Sequence, residues 1–171
     1  MKPQRPCIDP PLVRRAGQVL ALLKQQKLRL VTAESCTAGL LAAAFAQTDG
    51  AGEWLQGGFV TYTKEAKHQL LGVDAAWMAQ HGCVNAEVVR QMALGALERC
   101  EADIAIAISG VLGPRRDEDD NPLGRVFFCC ARRDAEPRVR HVQWLRSTPE
   151  KLRRQTVLEA LALVVECAEM G

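Results

Sequence analysis

The spacing of hydrophobic residues predicts amphipathic helices near both ends of the chain and in its middle. In the segment 12–26, apolar residues recur every three or four positions and the basic residues fall on the opposite face. The segment 85–100 keeps the same period for three turns after Asn85, whose side chain is suited to cap a helix. A last helix is predicted over about 149–169, after a Ser-Thr pair that offers a cap.

Runs of β-branched and apolar residues between these helices predict five strands, and shorter helical segments separate the early ones. The predicted strands are 28–33, 57–63, 103–109, 125–131 and 138–145, and the shorter helices are 36–46, 63–71 and 74–80. The run 103–109 has almost no polar position, so we expect a central strand covered on both faces. The last two strands are close enough in sequence to form a hairpin. Helices alternating with strands predict an α/β fold, a three-layer α/β/α sandwich with a mixed sheet of about five strands.

Length and composition limit the possible classes of protein. The 171 residues suit one domain, 1–171, in which we expect residues 1–10 to form a flexible N-terminal extension. A net charge of +2 argues against nucleic acid as a partner, and no apolar run approaches the length of a membrane span. The seven cysteines include no C-x-x-C pair, which argues against a metal site or a disulfide framework and predicts a cytoplasmic protein.

One candidate for chemistry is Ser35, which stands where a predicted strand turns into an Ala/Gly-rich helix. Backbone N–H groups at such a position can bind a phosphate or stabilise an oxyanion. The local pattern alone favours a simpler role, in which Ser35 or Thr37 caps the helix. Cys36 is a competing nucleophile, because a thiol at a helix N-terminus is also activated.

A serine nucleophile needs a base, and Lys67 is a candidate. It lies one helical turn after the predicted strand 57–63, so its side chain can point back toward the strand ends. Tyr62 would then relay a proton or hold the lysine. Spacing alone favours an exposed helix lysine, because an amine serves as a base only when its pKa is lowered. The acidic run 117–120 lacks the spacing of a calcium loop and is interpreted as a solvated loop.

Four motifs in order carry a resemblance to a known family. They are TAESCTAG at 32–39, GGFVTYTKEAKHQLLGV at 57–73, the turn HGCV at 81–84 and the turn SGVLGP at 109–114. Together they resemble the CinA carboxy-terminal domain family, the nicotinamide-nucleotide amidohydrolases. The resemblance covers about residues 12–168 and implies a stand-alone form of that domain.

The resemblance implies hydrolysis of nicotinamide mononucleotide to nicotinic acid mononucleotide and ammonia, with no metal or other cofactor. It makes Ser35 the nucleophile and Lys67 the general base, with Tyr62 supporting proton transfer, through an acyl-enzyme intermediate. It also implies a small-molecule nucleotide as partner and a homo-oligomeric assembly. The substrate-binding residues expected from it are Glu34, Thr37, Gly39, Ser109, Gly110 and Arg153.

The chain departs from the family pattern around the expected substrate. Ala38 stands where the family usually has another glycine before Gly39. Lys64 adds a second lysine, and Arg115-Arg116 replace a glycine pair. The family's Gly-Asp-Arg turn is replaced by Ser-Thr-Pro at 147–149. The candidates to replace its arginine are Arg146, Arg153 and Arg154. These departures keep an alternative open, a catalytically silent paralogue that binds a nucleotide or a protein partner.

Overall fold

The computed structural model describes residues 8–145 and 147–169, and within them helices and strands alternate as the sequence predicts. The helices are α1 (Pro10–Gln26), α2 (Leu40–Ala46), α3 (Ala51–Trp54), α4 (Lys64–Leu71), α5 (Ala75–His81), α6 (Ala86–Glu98) and α7 (Pro149–Ala168). The strands are β1 (Leu30–Glu34), β2 (Leu55–Val60), β3 (Ile104–Gly110), β4 (Arg125–Arg132) and β5 (Arg138–Gln143). None of the helices in these two ranges is long and apolar enough to cross a membrane.

The five strands form one mixed sheet in the order β2-β1-β3-β4-β5. β1 is parallel to both β2 and β3, whereas β4 pairs antiparallel with β3 and with β5. The predicted mixed five-stranded sheet and the hairpin are therefore confirmed. Since β1, β2 and β3 run in one direction, their carboxyl ends meet at one edge of the sheet, where ligands bind in open α/β sheets.

The central strand β3 is buried on both faces, as its apolar run predicts. Ile104, Ile106 and Ile108 lie in the core beneath α1, α2 and α7. Ala105 and Ala107 lie in the opposite core, beneath α6. Large side chains on one face and small ones on the other follow from the alternation of a strand. The small face leaves little space between the sheet and the helices above it.

Helix α4 packs closely against α6, and glycine makes this approach possible. A Cβ on Gly95 of α6 would sit 1.9 Å from the backbone oxygen of Leu71 in α4. Thr63 caps the N-terminus of α4 through a bond from the N–H of Ala66, and Gly72 ends it with φ +70°. The predicted bounds of this helix are confirmed, and its position fixes where Lys67 lies.

Several predicted boundaries are wrong. The second strand lies at Leu55–Val60 rather than at 57–63. The predicted helix from Cys36 begins only at Leu40, because Ala38 and Gly39 take positive φ values of 52° and 90° that a helix does not accommodate. Residues 8–10 of the expected extension are folded, since Ile8 is buried at 7% exposure and Pro10 opens α1. Residues 1–7 lie outside the described part of the chain.

Candidate active site

Ser35 and Lys67 meet at the carboxyl edge of the sheet. Ser35 follows β1 directly, and its backbone N–H donates to the carbonyl of Ile108 in β3 at 3.0 Å. The Nζ of Lys67 donates to the Oγ of Ser35 at 3.0 Å. Both side chains are enclosed, at 7% and 1% exposure. The lysine is therefore no exposed helix residue, and the two groups have the contact that a nucleophile and its base require.

The second partner of Lys67 is a backbone carbonyl. Its Nζ also donates to the oxygen of Thr61 at 2.9 Å. Burial lowers the pKa of the Lys67 ammonium below its ordinary 10.5, while the nearby Cys83 and Cys36 oppose that shift. Desolvation disfavours the charged form, so the site favours the neutral amine that can accept a proton.

Cys36 is poorly placed to compete as the nucleophile. Its thiol is buried, and desolvation raises its pKa to about 12. It also precedes the first residue of α2, Leu40, by four positions, so it lacks the helix N-terminus that would activate it. The hydroxyl of the neighbouring Ser35 is in contact with the Lys67 amine, whereas the raised pKa of Cys36 keeps its thiol protonated.

Glu34 organises the turn around Ser35 rather than lining the cavity. Its fully buried carboxylate accepts hydrogen bonds from the hydroxyls of Thr32 and Thr37 and from the backbone N–H groups of Gly39, Leu41 and Ala42. These backbone N–H groups are the ones that were expected from the sequence to bind a phosphate or an oxyanion. An internal carboxylate occupies them, so the structure does not bring Glu34, Thr37 or Gly39 to the cavity as substrate ligands.

The end of β3 supplies the opposite wall. Ser109 and Gly110 both line the cavity next to Ser35. The hydroxyl of Ser109 donates to the carbonyl of Cys83 at 2.8 Å, which ties β3 to the turn before α6. A Cβ on Gly110 would meet the backbone oxygen of Arg125 at 2.6 Å, so the close pairing with β4 requires glycine here.

The structure separates the three arginines that were candidates to bind phosphate. Arg153 on α7 lines the cavity. Its neighbour Arg154 instead pairs with Asp9 before α1. Arg146 lies outside the described residues. Arg153 is thus the candidate arginine that the structure brings to the site.

Tyr62 lies at the mouth of the cavity and not beside Ser35 and Lys67, the pair called the dyad below. Its side chain is 69% exposed. Within the described residues, no hydrogen bond joins its hydroxyl to Lys67 or Ser35. The carbonyl of Thr61, one position earlier, holds the lysine instead. A direct hold on the lysine by Tyr62 is therefore absent, and its expected part in proton transfer stays a prediction.

The dyad opens into a cavity of about 790 Å³, a size that suits small-molecule ligands. One wall is the segment Val111 to Asp119, which includes Arg115 and Arg116. The segment 117–120 is a largely exposed loop, as predicted. Its first three acidic residues also border the cavity, and Glu118, Asp119 and Asp120 form ion pairs. Nowhere in the described ranges do three or more His, Cys, Asp or Glu side chains form a group that could hold a metal ion.

The ion pairs of the loop centre on Lys64. Its Nζ lies 2.9 Å from a carboxylate oxygen of Glu118 and 3.0 Å from one of Asp119. Hydrogen bonding to Glu118, and then to Asp119, raises the pKa of Lys64. The other oxygen of Asp119 accepts the backbone N–H of Cys83 at 3.2 Å.

Two contacts of the site were not predicted from the sequence: the carbonyl of Thr61 on Lys67, and the pairing of Lys64 with the loop. A backbone carbonyl leaves no trace in residue identity, so nothing in the sequence pointed to Thr61. The lysine and Asp119 are 55 positions apart, and opposite charges at that distance do not identify partners. The departure of Lys64 from the family motif was the one available signal.

Comparisons with known proteins agree with this architecture. The family model of the CinA C-terminal domain matches residues 13–168. Nicotinamide-nucleotide amidohydrolase PncC of Escherichia coli K12 is 39% identical over 153 residues, which is 90% of this chain and 92% of that protein.

Solved structures agree as well. A CinA superfamily protein from Klebsiella pneumoniae is 34% identical with a TM-score of 0.89, covering 94% of this chain and 99% of that one. A competence/damage inducible protein from Agrobacterium tumefaciens is 30% identical with a TM-score of 0.89, covering 95% and 98%. Sequence match and structural match extend over the same region. The chain belongs to the CinA C-terminal domain family.

Proposed function

We propose that this protein hydrolyses the carboxamide of nicotinamide mononucleotide, giving nicotinic acid mononucleotide and ammonia. The observation that carries the proposal is the 3.0 Å hydrogen bond between the buried Nζ of Lys67 and the Oγ of Ser35. The relative from Escherichia coli K12, a nicotinamide-nucleotide amidohydrolase by name, supports the choice of substrate.

The proposed reaction begins with the neutral amine of Lys67. It takes the proton of Ser35 as the serine oxygen attacks the carboxamide carbon, forming a tetrahedral intermediate. The C–N bond then breaks, and the lysine ammonium gives its proton to the departing nitrogen, which leaves as ammonia. Water, deprotonated by Lys67, attacks the resulting ester and releases the acid while the proton returns to Ser35. The carbonyl of Thr61 keeps Nζ directed at the serine throughout.

The nucleotide phosphate is proposed to bind Arg153, the arginine of α7 that lines the cavity. Arg153→Met should raise KM for nicotinamide mononucleotide about tenfold, because one charge-assisted contact is lost. Arg154→Met is the matched control, since Arg154 neighbours it on α7 but pairs with Asp9. An equal rise in KM for both variants would contradict this role.

Ammonia release from nicotinamide mononucleotide by the purified protein tests the reaction. Ser35→Ala and Lys67→Ala should each lower kcat by about a thousandfold or more, while Cys36→Ala should keep turnover within about threefold. Circular dichroism shows whether each variant is folded. No release by the folded wild-type protein would reject the proposal and favour a catalytically silent paralogue. Turnover retained by Ser35→Ala would assign the nucleophile elsewhere.

We also propose that the protein acts in the cytoplasm as a homo-oligomer. The six described cysteines are free thiols, which suits a reducing compartment. Light scattering of the purified protein tests the assembly, and a mass equal to one chain at micromolar concentration would contradict it.

A further inference from the structure

The wall of the cavity carries several carboxylate groups, which is unfavourable for a site that binds an anionic substrate. Four carboxylic acid side chains line it, those of Glu65, Asp117, Glu118 and Asp119. A carboxylate near a phosphate raises the free energy of binding by Coulomb repulsion, and more so where water is excluded. A site for a nucleotide built on this wall therefore needs the acids to be compensated.

Lys64 compensates two of them and fastens the loop in the same contact. Its ammonium lies between Glu118 and Asp119, at 2.9 Å and 3.0 Å. Only 29% of the Lys64 side chain and 25% of that of Asp119 are exposed, so this pair is partly shielded from solvent. Partly buried ion pairs are screened less than exposed ones.

Asp119 also fixes the loop to the turn before α6. Its second carboxylate oxygen accepts the N–H of Cys83 at 3.2 Å. A Cβ on Gly82 would lie 2.7 Å from that same oxygen, so the loop sits directly on a glycine. Helix α4, this turn and the loop thus meet through Lys64 and Asp119.

We propose that Lys64 is a positioning residue for substrate binding, which latches the loop 113–119 as a wall of the cavity and neutralises the carboxylates of Glu118 and Asp119 toward an anionic substrate. The latch is the set of contacts of Lys64 with Glu118 and Asp119. The inference rests on the proposed nucleotide substrate and adds the residue that shapes its binding wall.

The latch accounts for the distribution of charge around the cavity. Arg116 is bound to Asp120, through its carboxylate at 3.2 Å and its carbonyl at 2.6 Å. Arg115 and Arg153 have no carboxylate partner within the described residues. With Glu118 and Asp119 held by Lys64, these two guanidinium groups remain available to an anion.

Steady-state kinetics on the full chain test the latch. Lys64→Met should raise KM for nicotinamide mononucleotide about five- to tenfold with kcat within about twofold, whereas Lys64→Arg should restore KM. Lys24→Met, a lysine on the exposed face of α1, is the matched control and should change neither. In a Glu118→Gln/Asp119→Asn background, Lys64→Met should have no further effect on KM. An unchanged KM in Lys64→Met, or a full further effect in that background, would overturn the inference.

Limited proteolysis gives a readout that does not need turnover. Trypsin cleaves after Arg115 and Arg116, and a released loop should be cut several times faster in Lys64→Met than in the wild type or in Lys24→Met. Equal cleavage rates would overturn the latch even if the wild type is active. Faster cleavage together with no wild-type turnover would support the latch as a contact while rejecting the proposed substrate and reaction.

Discussion

The turn at 34–39 and the loop at 111–121 lie on two sides of the proposed catalytic pair, Ser35 and Lys67, but are held in different ways. The turn is organised by one buried carboxylate, Glu34, whose partners all lie within eight positions along the chain. The loop is held by ion pairs to Lys64, a residue about 50 positions away on another helix. Hydrogen bonds within the segment hold the turn, whereas ion pairs between distant segments hold the loop.

This difference suggests a division of labour in the site. The turn positions Ser35, where a displacement of a few tenths of an ångström would separate it from Lys67. No hydrogen bond joins the described residues of the loop to Ser35 or Lys67, and the loop instead forms a wall of the cavity in which the substrate is proposed to lie. Changes in the turn should therefore alter kcat and stability, and changes in the loop should alter KM.

Glu34→Gln should produce the largest effect on stability. The amide cannot accept all the hydrogen bonds of the carboxylate, and its NH₂ group would face backbone donors, so we expect a loss of about 3 kcal/mol in the free energy of unfolding. Urea denaturation measures it, and kcat should fall as the turn around Ser35 relaxes. Glu136→Gln, at an exposed position, is the control. A loss equal to that of the control would contradict the role of Glu34.

Gly82→Ala tests the contact on which the loop rests, between Gly82 and Asp119. Gly82 has φ +73° and ψ −178°, a region that is nearly restricted to glycine, and the added Cβ would crowd Asp119. We expect a loss of about 2 kcal/mol and faster tryptic cleavage of the loop. Gly52→Ala, where nothing lies within 4 Å of the new Cβ, should leave the cleavage rate unchanged. An unaltered cleavage rate in Gly82→Ala would show that the position of the loop does not depend on its contact with Gly82.

Lys67→Met removes the group that the turn and the loop both enclose. The folded-state pKa of Lys67 is lowered below 10.5 by burial, so the unfolded chain binds more protons and stability rises with pH toward 10.5. Removing the buried amine should therefore favour the variant most near neutral pH, and this gain in stability relative to the wild type should shrink as pH approaches 10.5. Thermal unfolding across pH measures this, with Lys151→Met as control. A gain independent of pH would contradict it.

In the wild-type enzyme the same shift should appear in the kinetics. kcat/KM should rise with pH through the lowered pKa of Lys67, as the amine becomes neutral. A profile that is flat across this range would argue against the lysine as the base.

Ala38→Gly should give the smallest change. Ala38 has φ 52°, a left-handed conformation that disfavours a side chain, and it is exposed. Glycine should stabilise the turn by about 0.5 kcal/mol, since relief of strain exceeds the added entropy of the unfolded chain. KM for nicotinamide mononucleotide should not change, because Ala38 does not line the cavity. A marked change in KM would show that the turn contacts substrate after all.

The sequence predicted the layered fold because its periodicities are local. The apolar run at 103–109 and the caps at Thr63, Asn85 and Thr148 each act within a few residues, and the structure has them as expected. The start predicted for α2 was too early for a local reason as well, because the identity of Ala38 does not predict its positive φ.

The site was predicted unevenly for the same reason. Ser35 and Lys67 lie in motifs, so the resemblance named them, while spacing alone favoured a cap and an exposed lysine. The role of Glu34 was misassigned, because an acid beside a nucleophile suggests a ligand and its five donors come from the folded turn. The Lys64 contacts depend on tertiary structure, which brings two distant segments together.

The small face of β3 has a consequence for how this enzyme can change over evolution. Ala105 and Ala107 set how deeply α6 settles on the sheet, and Gly95 sets how closely α4 follows. The position of Lys67 relative to Ser35 therefore depends on the volume of side chains that do not touch either residue. A lineage that enlarges these alanines would move Lys67 before it altered any residue of the cavity, so substitutions in the core and changes in the proposed catalytic pair are coupled.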